Sequence, residues 1–62
     1  HLGKLKRHLQ TITSGIPLHP GDPLTANDDT VGIVVNFKDQ QGVAVIQDRA
    51  LALTINHVNI LR

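Results

Sequence analysis

No cysteine, methionine, tryptophan, tyrosine or glutamate occurs in these 62 residues, and phenylalanine occurs once, at Phe37. Without cysteine there is no disulfide, which fits a reducing, cytoplasmic setting. Without large aromatics the core has to come from leucine, isoleucine, valine and alanine, which make up almost all of the 40% apolar share. A chain this short buries only about 60% of the surface its unfolded form exposes, so the core is thin. Small domains usually add a staple, and with disulfides excluded a partner surface is the simplest one. The chain opens at His1 with no initiator methionine. Residues 1–62 therefore read as a single domain and as a fragment of a larger protein. No apolar run approaches the ~20 residues that span a bilayer, and nothing resembles a signal peptide.

Further absences remove whole classes of chemistry. Asn27-Asp28-Asp29 lacks the distal glutamate and central glycine of a calcium loop and reads as a turn or Asx cap. His1, His8, His19 and His57 show no short ligand spacing, whereas zinc needs three or four convergent ligands; they read as surface and turn residues. Ser14 is the single serine, followed by Gly15 in a loop, with no G-x-S-x-G around it. Asp48 and Arg49 are neighbours that would leave a strand on opposite faces, so they form no pair. Glycines 3, 15, 21, 32 and 42 make no phosphate-binding pattern. Gly32, inside an apolar strand, marks a bulge, a barrel corner or a close backbone approach by a neighbouring domain. These residues supply no catalytic set, metal site or cofactor site.

What is present is alternating aliphatic sequence cut by turns. Breakers fall at Ser14-Gly15, Pro17, Pro20-Gly21, Pro23, Asn27 to Asp29, Asp39 to Gly42 and Asn56-His57. That spacing predicts an all-β fold, a small closed or partly open antiparallel barrel of about five to six short strands. Leu2, Leu5, Leu9 and Ile12 sit at helical spacing. The β-branched run Gln10-Thr11-Ile12-Thr13 nevertheless favours a first strand. One short strand is expected near Leu24, with prolines 17, 20 and 23 at an edge or rim. Thr30 to Phe37 is the clearest strand, with Val31, Ile33, Val35 and Phe37 on one face and Gly32, Val34 and Asn36 on the other. Residues 38–42 close it into Val43 to Ile46. Apolar residues on both faces of these strands predict burial on two sides. A last hairpin is expected from Ala52–Ile55 and Val58–Leu61 around Asn56-His57.

The net charge of +1 is unevenly spread. Residues 1–10 hold Lys4, Lys6 and Arg7 and no acid, while the remainder sets three cations against five aspartates. The pI of 8.5 lies below the value above about 9 usual for a nucleic-acid-binding domain. On a strand Lys4, Lys6 and His8 share one face, and Arg7 lies opposite with Leu5 and Leu9. Lys4, Lys6 and Arg7 are the candidate contact with an anion or partner, against the plainer reading of a charged edge strand that resists aggregation. Binding of nucleic acid through residues 4–8 is the alternative, disfavoured by the lack of an aromatic stacking platform.

Taken in series, Gly3-Lys4-Leu5-Lys6-Arg7-His8-Leu9, Pro20-Gly21-Asp22-Pro23-Leu24 and Val31-Gly32-Ile33-Val34-Val35 resemble the C-terminal barrel of YgfZ-type proteins, relatives of the glycine-cleavage T-protein. The second block is similar to the family's P-G-x-x-L element and the third to its V-G-x-V-V strand. Gly42-Val43-Ala44-Val45-Ile46 and the closing hairpin resemble the last barrel strands. The resemblance implies an aminomethyltransferase-like fold whose tetrahydrofolate-type cofactor sits in a larger N-terminal folate-binding region, the partner of this barrel. It also implies a role in assembly or repair of iron–sulfur enzymes, some of which modify tRNA. The family's K-G-C-Y-x-G-Q-E signature is not in these residues, and the sequence stops at Arg62 short of the proline-aromatic ending of relatives. The implied role of residues 1–62 is structural and interactive, with no enzymatic step of their own.

Overall fold

The computed structural model of the protein describes residues 6–61, most of which lie in antiparallel strands. Strands β1 (Arg7–Ser14), β2 (Pro23–Ala26), β3 (Asp29–Lys38), β4 (Gln41–Gln47) and β5 (Val58–Ile60) form one sheet in the order β2-β3-β4-β1-β5. The sheet curls into a half-barrel, so the barrel is of the partly open kind. Among the described residues no helix is long and apolar enough to cross a membrane.

Strand wins over helix in β1 because β4 offers a ladder along its length, from Arg7 opposite Gln47 to Thr13 opposite Gln41. Alternation then decides which residues face inward. Ile12 is fully buried and Ser14 nearly so, whereas Leu9 is 67% exposed. Two tight hairpins hold the sheet together. Asn27 and Asp28 have φ of 52° and 68°, and Asp39 and Gln40 have 55° and 69°. Two consecutive left-handed residues are the mark of a type I′ turn, whose twist matches that of the flanking strands. Asn27-Asp28 thus serves as the turn, and Asp29 already belongs to β3.

The strict alternation expected for β3 fails twice. Against β2 the pairing steps from Leu24–Gly32 to Thr25–Thr30, which leaves Val31 unpaired. Against β4 it steps from Val34–Ala44 to Asn36–Val43, which leaves Val35 unpaired. Each extra residue is a bulge that slips the facing by one position. Val31 and Val34 are therefore both buried, and Ile33 and Val35 are 46% and 48% exposed. The two-sided burial expected for β3, in a closed barrel or at a domain interface, is not supplied by the described residues themselves. Its outer face is uncovered, and only the concave side is packed.

Bulges bend the sheet, and two glycines leave room for the bend. A Cβ on Gly32 would lie 2.6 Å from the Val45 carbonyl oxygen, and one on Gly42 would lie 2.7 Å from Phe37 Cα. Both glycines face the concave side, where neighbouring backbones come closest. The backbone that approaches Gly32 is β4 of the same chain, where the sequence suggested a neighbouring domain.

The expected last hairpin is also different. Residues Asp48–Ala52 form a 3₁₀ turn, so Asp48 and Arg49 are not strand neighbours. Only Ile55 and Val58 bridge across Asn56-His57, where His57 takes φ 64°. β5 pairs instead with β1, Ile60 opposite Ile12 and Val58 opposite Ser14. The reason lies in the concave side, which needs a cover. Ala50 and Ile55 drop into it and join Ile12, Leu24, Val31, Val34, Ala44 and Ile46 in one cluster, with Leu51 and Leu53 packed against it. The Asn56 amide donates to the Thr25 carbonyl at 2.9 Å, tying this cover to β2.

The two faces of β1 should respond differently to truncation. Ile12→Ala is expected to cost about 2–5 kcal/mol, and Leu9→Ala to stay within about 0.5 kcal/mol. Chemical denaturation of the two variants checks this; equal losses would contradict the assigned facing.

Candidate interaction surface

Of the basic residues singled out in the sequence, Lys4 lies outside the described residues. Lys6 and Arg7 are both exposed and sit at the start of β1. The Asp48 amide donates to the Lys6 carbonyl at 2.8 Å, so the β1–β4 ladder extends one step beyond the strand. Lys6 and Arg7 therefore leave the backbone on opposite faces.

The inner face of this end carries a pair that sequence spacing could not reveal. His8 Nε2 lies 2.8 Å from Asp48 Oδ1, forty positions away. A carboxylate only accepts hydrogen bonds, so Nε2 carries the hydrogen. The pair is well exposed, with side-chain exposures of 39% and 57%, and its worth is correspondingly small, about 0–1 kcal/mol.

The outer face gathers different chemistry. Arg7 stands opposite Gln47, and the Arg49 Nε donates to Gln47 Oε1 at 2.8 Å. Two guanidinium-bearing side chains thus flank one neutral amide. Among the described residues the ion pairs are His8–Asp48 and His19–Asp22, and neither arginine takes part in one. Beside them runs an apolar row across three strands, Leu9 opposite Val45 and Val45 opposite Ile33. A shallow groove of about 270 Å³ lies between, lined by Arg7, Thr30, Ile33, Val45 and Gln47 among others. Arg49 and Gln47 escaped the sequence reading because the chain turns into the 3₁₀ segment there rather than running straight.

A second cleft, about 490 Å³, opens at the other end of the barrel between the 15–19 loop and the 37–40 turn. Leu18 and Phe37 are half-buried in its walls and Ile16 is 41% exposed. The loop beside it is held by the His19 amide donating to Asp22 Oδ2 at 2.9 Å and the Asp22 amide donating to the His19 carbonyl at 3.0 Å.

Ser14, expected in a loop, is instead the last residue of β1 and is buried. Its hydroxyl donates to the His57 carbonyl at 2.6 Å and accepts from the Ile16 amide at 3.2 Å. The first bond ties the 55–58 turn to β1, and the second holds the start of the loop that follows β1. Among the described residues no cluster of three histidine, aspartate or other ligating side chains could hold a metal ion. The surface offers association: a basic pair, an apolar row and a groove.

Ser14→Ala removes one buried hydroxyl and leaves the His57 carbonyl and Ile16 amide without it, at an expected cost of about 1–3 kcal/mol. Thermal or urea unfolding reads this directly, and an unchanged midpoint would show that the turn is held by packing alone.

No protein-family model, curated protein or solved structure matches this chain.

Proposed function

We propose that this chain is a non-catalytic structural and interaction barrel, the C-terminal module of a YgfZ-like, tetrahydrofolate-binding protein of the cytoplasm. In that reading the outer face packs on the N-terminal folate-binding region and helps to position it. The folate, and the role in iron–sulfur enzyme assembly or repair and in tRNA modification, belong to the larger protein. Two things support the reading: the ordered resemblance of the three sequence blocks, and the uncovered aliphatic outer face. The second is the single observation that carries it. Leu9, Ile33 and Val35 stand 67%, 46% and 48% exposed on one side of a thin sheet, and contiguous exposed apolar surface marks contact with another surface.

Nucleic-acid binding through residues 4–8 has less support. Lys6 and Arg7 leave on opposite faces, and Phe37 is half-buried at the far end of the sheet.

Two titrations test the proposal. A reduced folate added to this chain is expected to give no saturable NMR shifts. A separately expressed folate-binding region of a YgfZ-type protein is expected to bind it and to bind the Ile33→Lys, Val35→Lys double variant at least ~10-fold more weakly, as loss of a central apolar anchor does. Saturable micromolar folate binding by the chain alone, or equal affinity of the double variant, would overturn it.

A further inference from the structure

β1 is an interior strand at one end and an edge at the other. β5 pairs with Ile12, Thr13 and Ser14, and the Leu61 amide donates to the Thr11 carbonyl at 2.8 Å. Among the described residues the β1–β5 pairing ends there. In an antiparallel strand the amide and carbonyl of alternate residues point to opposite neighbours. The Ser14 amide bonds to the Gln40 carbonyl and the Lys6 carbonyl to the Asp48 amide, so even-numbered residues of β1 serve β4. Odd-numbered residues serve the β5 side. The amides and carbonyls of Arg7 and Leu9 therefore face the lane in line with β5, where among the described residues no backbone hydrogen bond reaches them.

The edges on the β2–β3 side of the sheet are blunted, unlike this one. On β2, Pro23 has no amide hydrogen and the Thr25 carbonyl is taken by Asn56. On β3, the Phe37 amide is capped by Asn36 Oδ1 at 2.9 Å. Natural sheets block exposed edges in such ways to prevent unwanted pairing. The Arg7–Leu9 edge carries no equivalent block among the described residues.

From this we propose that the Arg7–Leu9 edge of β1 accepts an extended peptide segment as an added antiparallel strand, with an aliphatic residue two positions before an acidic one. The order follows from the pairing. A residue opposite Leu9 is followed two positions later by the residue opposite Arg7, and both side chains lie on the outer face with their partners. Leu9 offers exposed apolar surface to the first. Arg7 offers the second a guanidinium without a carboxylate, reinforced by Arg49 across Gln47. Charge complementarity thus selects an acidic strand, while the backbone supplies up to two paired sets of hydrogen bonds, as in strand addition elsewhere. The inference rests on edge geometry and does not depend on the family reading.

The probe is a blocked seven-residue peptide of alternating threonine and valine, with leucine near its centre and glutamate two positions later. Titrated into the full 62-residue chain, it is expected to bind saturably in the sub-millimolar range. The expected NMR signature is shifts centred on Arg7, Leu9 and Val45 with slowed exchange of the Leu9 amide. A peptide N-methylated at the residues opposite Arg7 and Leu9 keeps every side chain and should bind at least ~10-fold more weakly, because its paired donors are gone. Arg7→Glu should weaken the glutamate peptide to a similar extent and favour a lysine-for-glutamate peptide instead. Equal affinity of the N-methylated peptide, shifts centred on Phe37 or β2, or indifference to the Arg7→Glu reversal would each overturn the proposal, as would no binding at millimolar peptide.

Discussion

Close backbone approach on the concave side of the sheet is the constraint from which the rest of this structure follows. At Gly32 the β4 backbone passes so near that a side chain has no room, and Gly42 faces β3 in the same way. Along this stretch β3 carries two bulges, at Val31 beside Gly32 and at Val35. Glycines and bulges together let a small sheet coil strongly enough to enclose its own core. A flat sheet of the same five strands would leave Ile12, Ala44 and Ile46 on an open surface. The coil instead forms a trough, and the 48–57 segment fills it with Ala50 and Ile55.

That geometry sets the character of the two faces. Inside, aliphatic residues of modest size suffice because the trough is narrow, which is how a chain with one phenylalanine builds a core. Outside, the bulges that bring both Val31 and Val34 inward also turn Ile33 and Val35 out. The apolar outer face is thus a consequence of the curl, and it places Leu9, Val45 and Ile33 in a row next to Arg7 and Arg49. Curl, core and interaction surface are one arrangement seen from two sides.

Much of this was legible in the sequence. Turn chemistry marks both bends, at Asn27 to Asp29 and at Asp39 to Gly42, but not their two-residue I′ form, in which Gln40 takes a positive φ. Prolines placed β2 at an edge, and the β-branched run at 10–13 favoured strand over helix in β1. Facing along β3 was not legible, because a period of two cannot register an inserted residue until its partner strand is known. Aliphatic residues on both faces of a strand were read as two-sided burial, and the sequence has no mark that separates a buried outer face from a bare one. Residues 52–55 read as a strand in the sequence, but Leu53 and Ile55 pack toward the trough, and of these residues only Ile55 makes a bridge. Lys6 and Arg7 are singled out by charge alone, which says nothing of the opposite faces they take. Arg49 and the His8–Asp48 contact depend on chain reversal across forty residues and had no local signal.

Replacing one inner-face hydrogen by a methyl group tests this account most directly. Urea denaturation of Gly32→Ala should show a loss of about 1–3 kcal/mol, the usual penalty for overpacking. Gly15→Ala, where a Cβ meets nothing within 4 Å, should stay within about 0.5 kcal/mol of the parent. An unchanged midpoint for Gly32→Ala would contradict the claim that backbone proximity at this position shapes the sheet.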